Sequence, residues 1–323
     1  MKALALFSGG LDSMLAVKLM VAQGVDVLGL FFETPFFSSA KARASAASIT
    51  LPLKVMDLTE PHLEVVKNPK HGYGENMNPC IYCHALMLRK AGDMLQEEGA
   101  SFVVTGEVLG QRPMSQNKKA LFIVAAESGY GNLILRPLSA KRLPITVPEE
   151  KGWIGREKLL GLSGRSRKPQ MELAKTLGIA EYPSPGGGCL LTDQVFSKRL
   201  KDLFSTRTSP ALRDIELLKL GRHFRLGPHT KLIVGRNKQE NDDLLSLSEQ
   251  TDLILTTVSV PGPTALLVGD LSPEMEALGT LITVSYSDAE EGESTEVKLL
   301  GQGEERYRMG RRTDKKPFKT YMI

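Results

Sequence analysis

Six residues near the start of the chain, the run Ser-Gly-Gly-Leu-Asp-Ser at 8–13, have the composition of a turn that binds phosphate. They follow an apolar run at 3–7 and precede an amphipathic stretch at 14–22, an order that predicts strand, turn and helix. Such a turn directs several backbone N–H groups and the positive end of a helix dipole toward one point. The two glycines let the backbone approach a phosphate closely, and the two serines supply hydroxyl donors.

The aspartate in this run, Asp12, limits what the turn can bind. A carboxylate beside phosphates repels them unless it holds Mg²⁺ or caps the helix. The Walker pattern, which ends in Gly-Lys-Ser/Thr, is absent. The run therefore predicts a different nucleotide-binding turn, and the alternative is a solvated turn that binds nothing.

Three cysteines form a second group of reactive side chains. Cys80 and Cys83 are spaced as Cys-x-x-Cys at a predicted helix start, where the helix dipole favours thiolate, and Cys189 follows three glycines. Three thiolates with an open fourth position suit a [4Fe–4S] cluster. The alternatives are a redox or persulfide pair, a zinc site that His84 would complete with awkward geometry, or no role.

Length and composition restrict the class of protein. The 323 residues allow two domains, and 41% hydrophobic with 24% charged residues is ordinary for a globular protein. No apolar stretch approaches the roughly 18 residues of a membrane span. The chain starts directly with a predicted strand and has an odd, sparse set of cysteines, so we expect a cytoplasmic protein without a secretion signal.

Basic residues are unevenly distributed. The net charge is +4, yet residues 198–236 carry ten basic and three acidic residues, and residues 304–323 carry seven and three. Such clusters suit a polyanionic partner, although a lysine-rich helix face is often only solvated.

Two domains are expected from the distribution of apolar runs. In residues 1–205, predicted strands alternate with predicted helices, which indicates an α/β domain with a parallel sheet. Its strands are at 3–7, 25–31, 53–57, 101–105 and 133–135, and its helices at 14–22, 41–49, 81–98, 156–160 and 168–177. Ser8, Glu33 and Gly106 then fall at the carboxyl edge of the sheet, where such folds bind ligands.

A loop rich in Pro and Gly at 182–188 separates this pattern from the rest of the chain. Residues 206–323 change to short strand-like pieces, including 231–234 and 265–268, and predict a smaller α+β domain. The acidic stretch 288–296 is predicted to be an exposed turn.

The order Ser-Gly-Gly-x-Asp-Ser after a first strand resembles the PP-loop of the ATP pyrophosphatases. Together with Asn78-Pro79-Cys80-Ile81-Tyr82-Cys83 and Thr105-Gly106-Glu107-Val108-Leu109-Gly110-Gln111-Arg112, it resembles the tRNA-thiolation enzymes, which include the 4-thiouridine and 2-thiouridine synthetases. The likeness covers roughly residues 1–200 and implies a domain of the adenine nucleotide alpha-hydrolase type.

This resemblance also implies roles for individual residues. The ATP-binding residues would be Ser8, Gly9, Gly10, Asp12 and Ser13, with Phe31 and Gly106 beside the adenosine. The catalytic residues would be Cys83, Cys189 and Asp12. The extra cysteine, Cys80, matches the branch in which Cys80, Cys83 and Cys189 would hold a [4Fe–4S] cluster.

The second domain resembles the RNA-binding domain of the NFACT proteins at 221–225, 234–241 and 260–263. In place of the His-containing motif that precedes Pro-Gly in that family, this sequence has residues 253–259. The resemblance implies RNA contacts from Arg222, Arg225, Arg236, Asn237 and Asn241. The alternative is an α+β domain whose arginines are only solvated.

The sequence therefore predicts an ATP-dependent tRNA sulfurtransferase that uses ATP and Mg²⁺ and produces AMP and pyrophosphate. Arg167 and Lys168 would neutralise phosphate charge. The sulfur donor would be free sulfide or a persulfide-carrying protein, because segments that often accompany the 4-thiouridine enzymes are not found in these 323 residues. Two alternatives remain: a PP-loop enzyme that acts on a small molecule, and a non-catalytic RNA-binding protein.

Overall fold

The computed structural model describes residues 1–184 and 189–323. It divides the chain into two compact units, Met1–Thr192 and Asp193–Ile323. Part of the predicted loop at 182–188 lies outside the described residues, since 185–188 are not among them.

The first unit is built on a parallel sheet of five strands in the order β3-β2-β1-β4-β5. The strands are β1 (Lys2–Leu6), β2 (Asp26–Glu33), β3 (Leu53–Asp57), β4 (Phe102–Thr105) and β5 (Ile134–Leu135). The helices that connect them or follow them are α1 (Leu11–Val21), α2 (Ala40–Ser48), α3 (Thr59–Lys67), α4 (Cys80–Asp93), α5 (Lys118–Ser128), α6 (Val147–Glu150) and α7 (Lys168–Thr176).

The sheet is buried on both faces, which explains the continuous apolar runs in its strands. One face packs against α1, with Ala3, Ala5 and Met14 in a shared core. The other face packs against α4, with Leu4 and Leu88 in a second core. The α/β class and the parallel sheet predicted from the sequence are confirmed.

The strand order creates a topological switch point beside β1. The chain leaves β1 toward β2 on one side, and β4 later pairs with β1 on the other side. The loops after β1 and β4 therefore diverge at their carboxyl ends, which is the switch point where open α/β sheets bind ligands.

Most predicted elements of this unit form within two or three residues of their expected bounds, and two differ. The helix expected at 81–98 ends at Asp93, and the one expected at 156–160 is a single 3₁₀ turn, Arg156–Lys158. Three helices, α3, α5 and α6, were not predicted. In α3, Pro61 lies in the first turn, where its missing N–H breaks no helical hydrogen bond.

The second unit contains an antiparallel sheet of six strands in the order β11-β10-β8-β9-β7-β6. The strands are β6 (Arg222–Arg225), β7 (Lys231–Val234), β8 (Leu253–Thr257), β9 (Ala265–Val268), β10 (Ser294–Gly301) and β11 (Glu304–Arg311). The helices are α8 (Gln194–Thr206), α9 (Leu212–Leu217), α10 (Lys238–Ser246) and α11 (Pro273–Ser285).

Helices cover both faces of this sheet. On one face, Ile282 and Val284 of α11 share a core with Leu232 and Leu255. On the other face, Leu217 of α9 and Leu244 of α10 pack with buried strand residues. The smaller α+β domain is confirmed, and β10 begins inside the predicted acidic turn, at Ser294.

The structure divides the chain earlier than the predicted boundary between 205 and 206, because α8 belongs to the second unit. The buried Arg199 of α8 donates hydrogen bonds to the carbonyl oxygens of Leu218 (2.7 Å) and Gly221 (2.9 Å). Asp202 of the same helix accepts from Arg225 at 3.0 Å. These contacts tie α8 to the strands and turns that follow it.

Within residues 1–184 and 189–323, none of the helices combines the length and the apolar character that are needed to cross a membrane.

Candidate functional site

The predicted phosphate turn joins β1 to α1. Gly10 is the N-cap of α1 in extended conformation, and no side chain of the described residues caps this helix. The Ser13 hydroxyl instead donates to the Gly10 carbonyl oxygen at 2.7 Å. The first N–H groups of α1 are therefore left without a side-chain acceptor, as an anion-binding helix start requires.

Two glycines are required by close backbone packing rather than by a ligand. Gly9 has φ +76°, and a Cβ there would lie 2.7 Å from Ala42 Cα in α2. Gly106, directly after β4, would place a Cβ 2.5 Å from the Ser13 nitrogen. The ends of β1 and β4 thus interlock at the switch point. Gly10 is more open, with Ser8 Oγ at 3.5 Å from its ideal Cβ.

Phe31, predicted to lie beside the adenosine, is a core residue of β2. Its side chain is buried and its ring meets Phe37 edge-on with centroids 6.2 Å apart. At the end of the same strand, Glu33 accepts a hydrogen bond from the Ser39 N–H at 2.7 Å, which fixes the loop before α2.

Asp12 leads a chain of polar side chains beside the turn. Gln111 Nε2 donates to Asp12 Oδ2 at 2.7 Å, and Gln170 Nε2 donates to Gln111 Oε1 at 3.1 Å. The other carboxylate oxygen, Oδ1, is buried and has no hydrogen-bond partner among the described residues. An orphaned carboxylate oxygen is costly, so this position fits a bound cation such as Mg²⁺.

The charged groups around Asp12 do not fully compensate the burial of its carboxylate. Burial raises the pKa of the Asp12 carboxyl, and the hydrogen bond from Gln111 and the charges of Arg167 and Arg112 only partly oppose it. Arg167 Nε is itself buried and unpartnered within the described ranges. A carboxylate and a guanidinium with unused polar atoms in one place are suited to a ligand that carries both a cation and phosphates.

A buried network of charged side chains lies just after the carboxyl end of β4. Glu107 accepts from Arg136 Nε at 2.8 Å and contacts His84 Nδ1 at 3.1 Å. Burial alone would raise the pKa of Glu107, but the Arg136 guanidinium and His84 outweigh it and lower that pKa to about 2. Since His84 follows Cys83 in the first turn of α4, this network connects the cysteine helix to the nucleotide edge.

The fold brings the three cysteines together. All three are free thiols: Cys83 is buried, and Cys80 and Cys189 are partly buried. Burial raises the pKa of Cys83 well above its usual range, and the nearby Cys189 and Cys80 raise it further. Burial likewise raises the pKa of Cys189 to about 11, again with a contribution from Cys80. The thiolate expected at the helix start is therefore not favoured in this state, because burial outweighs the helix dipole.

Two neighbouring side chains act on these thiols, one by contact and one through its charge. The buried His62 of α3 places Nε2 3.1 Å from Cys83 Sγ, while its Nδ1 has no partner in the described part of the chain. Burial lowers the pKa of His62 to about 4, so the ring is neutral. Burial raises the pKa of Cys80 and of Cys189, and the charge of Arg112 opposes this rise only in part. The same guanidinium acts on Asp12.

Three thiols from two segments are the donor set of a [4Fe–4S] cluster with an open iron. No group of three His, Cys, Asp or Glu side chains among the described residues is arranged to hold a single metal ion. A cluster binds each thiolate to a different iron, so its ligands stand farther apart than those of one ion. The three thiols match the cluster in type and number, and the described residues do not form a mononuclear site.

In the second unit, most of the predicted RNA-binding residues have internal partners. Arg225 binds Asp202, and Arg236 binds Glu240. Asn237 caps α10 by accepting from the Glu240 N–H at 3.0 Å, and Asn241 accepts from the Thr264 N–H at 3.0 Å. The Gly-Arg-Asn motif is thus explained by local structure. Arg222 differs, because its guanidinium lies over the ring of Tyr286.

The fold and the turn define a PP-loop α/β nucleotide-binding domain followed by a separate antiparallel α+β domain. Residues 1–142 match the family described as thiamine biosynthesis protein (ThiI), and residues 221–322 match the NFACT protein RNA binding domain. The two matches fall in the two units separately, and they agree with both resemblances seen in the sequence.

Individual relatives agree with this assignment. The chain is 29% identical over 148 residues to a probable tRNA sulfurtransferase of Thermoanaerobacter sp. (strain X514), covering 42% of this chain and 36% of the relative. It is 32% identical over 120 residues to the tRNA-specific 2-thiouridylase MnmA of Sulfurimonas denitrificans, covering 33% and 35%. The matched segments thus span about a third of these relatives.

Among solved structures, the chain is similar to a 4-thiouridine synthetase in complex with RNA and bound ATP. The identity is 25%, the coverage is 55% of this chain and 51% of that one, and the TM-score is 0.37.

Proposed function

We propose that this protein is an ATP-dependent tRNA sulfurtransferase that adenylates a uridine carbonyl oxygen and replaces that oxygen with sulfur. The observation that carries the proposal is the Asp12 carboxylate of the phosphate turn, which Gln111 holds at 2.7 Å and whose Oδ1 has no partner among the described residues. The charge of the neighbouring Arg112 partly opposes the effect of burial on Asp12, Cys80 and Cys189, which supports nucleotide and sulfur chemistry in one site.

ATP binds with its phosphates at the turn after β1. The open N–H groups of α1 donate to phosphate oxygens, and the hydroxyls of Ser8 and Ser13 leave their present acceptors, Ser13 and the Gly10 carbonyl, to do the same. Asp12 holds Mg²⁺ through its unpartnered Oδ1, and Gln111 keeps the carboxylate in place. Arg167, the N-cap residue of α7, acts electrostatically on Asp12, and together with Lys168 it neutralises phosphate charge.

Activation uses the phosphate chemistry of this site. A uracil carbonyl oxygen is a poor leaving group, so direct replacement by sulfur is slow. That oxygen forms a bond to the α-phosphorus of ATP, the bond between the α-phosphorus and the bridging oxygen breaks, and pyrophosphate leaves with Mg²⁺ offsetting its charge. The carbonyl oxygen is now part of AMP.

Sulfur then attacks the activated ring carbon, and AMP leaves with the original oxygen. Bound by Cys80, Cys83 and Cys189, a [4Fe–4S] cluster would supply an open iron site for inorganic sulfide. In the alternative, a persulfide on Cys83 or Cys189 attacks the ring carbon through its terminal sulfur. The other thiol then attacks the sulfur–sulfur bond, which releases the thionucleoside and leaves a Cys83–Cys189 disulfide for a thiol reductant to reduce.

The second unit binds the tRNA. Its match to an RNA-binding domain and the excess of basic residues in 198–236 and 304–323 support this role. The sulfur donor is free sulfide or a protein that carries a persulfide.

The test is to incubate anaerobically purified protein with unmodified tRNA, ATP, Mg²⁺ and sulfide, and to measure AMP and thionucleoside. We expect AMP formation that tRNA stimulates, with one thionucleoside per AMP at most. A triple variant, C80S/C83S/C189S, should still form AMP but no thionucleoside.

Two results would overturn the proposal. Thionucleoside from the triple variant would move the sulfur chemistry away from these cysteines. AMP formation that tRNA leaves unchanged would favour a small-molecule substrate.

A further inference from the structure

Ion pairs neutralise some of the cations of the second unit and leave others without a carboxylate partner. Five arginines bind carboxylates within the unit: Arg207 with Asp214, Arg213 with Asp252, Arg225 with Asp202, Arg236 with Glu240, and Arg306 with Glu276. In contrast, Arg222 and Lys315 lie against an aromatic ring and form no ion pair with any described residue.

Both of these cations contact Tyr286, at the end of α11. The Arg222 guanidinium carbon lies 5.0 Å from the ring centroid, and Lys315 Nζ lies 4.9 Å from it. The two charges are therefore no more than about 10 Å apart. The ring is anchored by the fully buried Phe224, with centroids 5.8 Å apart.

The end of the chain brings Lys315 to this place. The Ile323 N–H donates to the His223 carbonyl oxygen at 3.1 Å, and Met322 forms an antiparallel bridge with Phe224. The terminal segment thus runs along the free edge of β6, whose first residue is Arg222. It also carries the exposed Lys316 and Lys319, with Asp314 as an acidic neighbour 3.9 Å from Lys316.

Two like charges no more than about 10 Å apart repel each other, and salt screens this repulsion only in part where their separation is within about one Debye length. A cation–π contact orients a cation but leaves its charge uncompensated. The N–H donors of a guanidinium over a ring remain available to a phosphate. A partner with regularly spaced negative charges would neutralise this pair.

We propose that Arg222, Tyr286 and Lys315 form an RNA-binding surface that holds the phosphate backbone of the tRNA. The choice of tRNA as the partner rests on the proposed function. Of the five motif residues, only Arg222 is assigned to this surface, because the other four have hydrogen-bond partners within the unit. Tyr286 is a positioning residue that fixes the spacing of the two cations.

The experiment measures binding of a fluorescently labelled, unmodified tRNA to the full-length protein without ATP, at several KCl concentrations. The R222Q/K315Q variant should bind several-fold more weakly. Its slope of log affinity against log salt should be shallower by about 1.4–1.8, as expected for two lost phosphate contacts. R222K/K315R, which retains both charges, should keep most of the affinity.

The matched control is K219Q/K298Q, which removes two lysines of the same unit that are paired with Glu216 and Glu305. We expect almost unchanged binding for this variant. Y286F should bind like the unchanged protein, while Y286L should weaken binding.

If the control loses as much tRNA affinity as R222Q/K315Q does, the loss reflects net charge alone and the proposal is overturned. Unchanged tRNA binding by R222Q/K315Q, together with loss of binding to phosphatidylserine vesicles, would assign the surface to a membrane instead. Because binding is measured without ATP, a protein that binds tRNA through this surface but makes no thionucleoside would contradict the proposed function alone.

Discussion

His62 and Cys83 meet in the interior of the first unit, with the imidazole Nε2 3.1 Å from the thiol sulfur. They come from different helices, α3 and α4, and the imidazole packs between Phe36 and Phe37. A neutral ring in this position can donate its N–H to a sulfur that bears negative charge.

We expect the H62L variant to show slower alkylation of Cys83, because the thiolate loses this hydrogen bond. A hydrogen bond to a charged group contributes about 1.5–3 kcal/mol, so the rate should fall roughly tenfold or more. The measurement is iodoacetamide labelling in a C80S/C189S background. H62Q, which keeps an N–H donor at similar reach, should recover much of the rate, and an unchanged rate in H62L would exclude the hydrogen bond as a determinant of Cys83 reactivity.

Replacing Asp12 with Asn should abolish AMP formation and at the same time stabilise the ligand-free fold. The folded-state pKa of Asp12 is raised by burial, so its ionised form costs stability as the pH rises from 3.8 through that raised value. Above that raised pKa the cost is fully present, and the neutral amide avoids it. Thermal unfolding should show a higher Tm for D12N without nucleotide and a smaller stabilisation by Mg²⁺–ATP. A lower Tm for the apo variant would show that the charge is stabilising.

Glu107 should have the opposite effect on stability. Its pKa is lowered from 4.5 to about 2, so the stabilisation it provides is present above pH 4.5 and is lost as the pH falls toward 2. E107Q leaves Arg136 buried without its carboxylate partner, which should cost about 3–5 kcal/mol in urea unfolding. K70Q, which breaks an exposed ion pair with Glu127, should leave the unfolding midpoint nearly unchanged.

Gly10, after β1, and Gly106, after β4, should respond differently to an added methyl group. At Gly106 a Cβ would collide with the backbone of Asp12 and Ser13, so G106A should lose about 1–3 kcal/mol of stability. At Gly10 the backbone has φ −76° and the nearest atom is 3.5 Å away, so G10A should fold normally. If Gly10 faces the phosphates, G10A will weaken ATP binding at unchanged Tm, and normal ATP affinity would remove Gly10 from the site.

Iron and acid-labile sulfide measured after anaerobic purification test the cysteine set. About four of each per chain are expected for a three-thiolate cluster, and C80S should lose them. Zinc would make Cys80 and Cys83 structural, and metal-free protein would favour the persulfide pathway between Cys83 and Cys189.

Much of the first unit could be predicted because its central strands are buried on both faces and therefore appear as apolar runs, as β4 at Phe102–Thr105 does. The helix α5 was missed although Asn117 caps it and Gly129 ends it with φ +80°, which are signals present in the sequence. Asp12 and the cysteines were found because their motifs are local.

Contacts between distant segments could not be predicted in this way. His62 is buried against Cys83 by the packing of α3 on α4, and nothing in its local sequence marks that contact. Arg225 was expected to bind RNA, but its carboxylate partner, Asp202, lies 23 positions away on α8. The sequence showed these charges without showing which of them are already neutralised.

Arg112 links the two halves of the proposed site electrostatically. Burial raises the pKa of Asp12, Cys80 and Cys189, and this one guanidinium partly opposes that effect at all three groups. In the proposed function, an anion bound at the turn would draw on the same cation, so nucleotide binding would alter how readily the sulfurs carry charge. By reciprocity, sulfur loading would then alter nucleotide affinity by an equal factor.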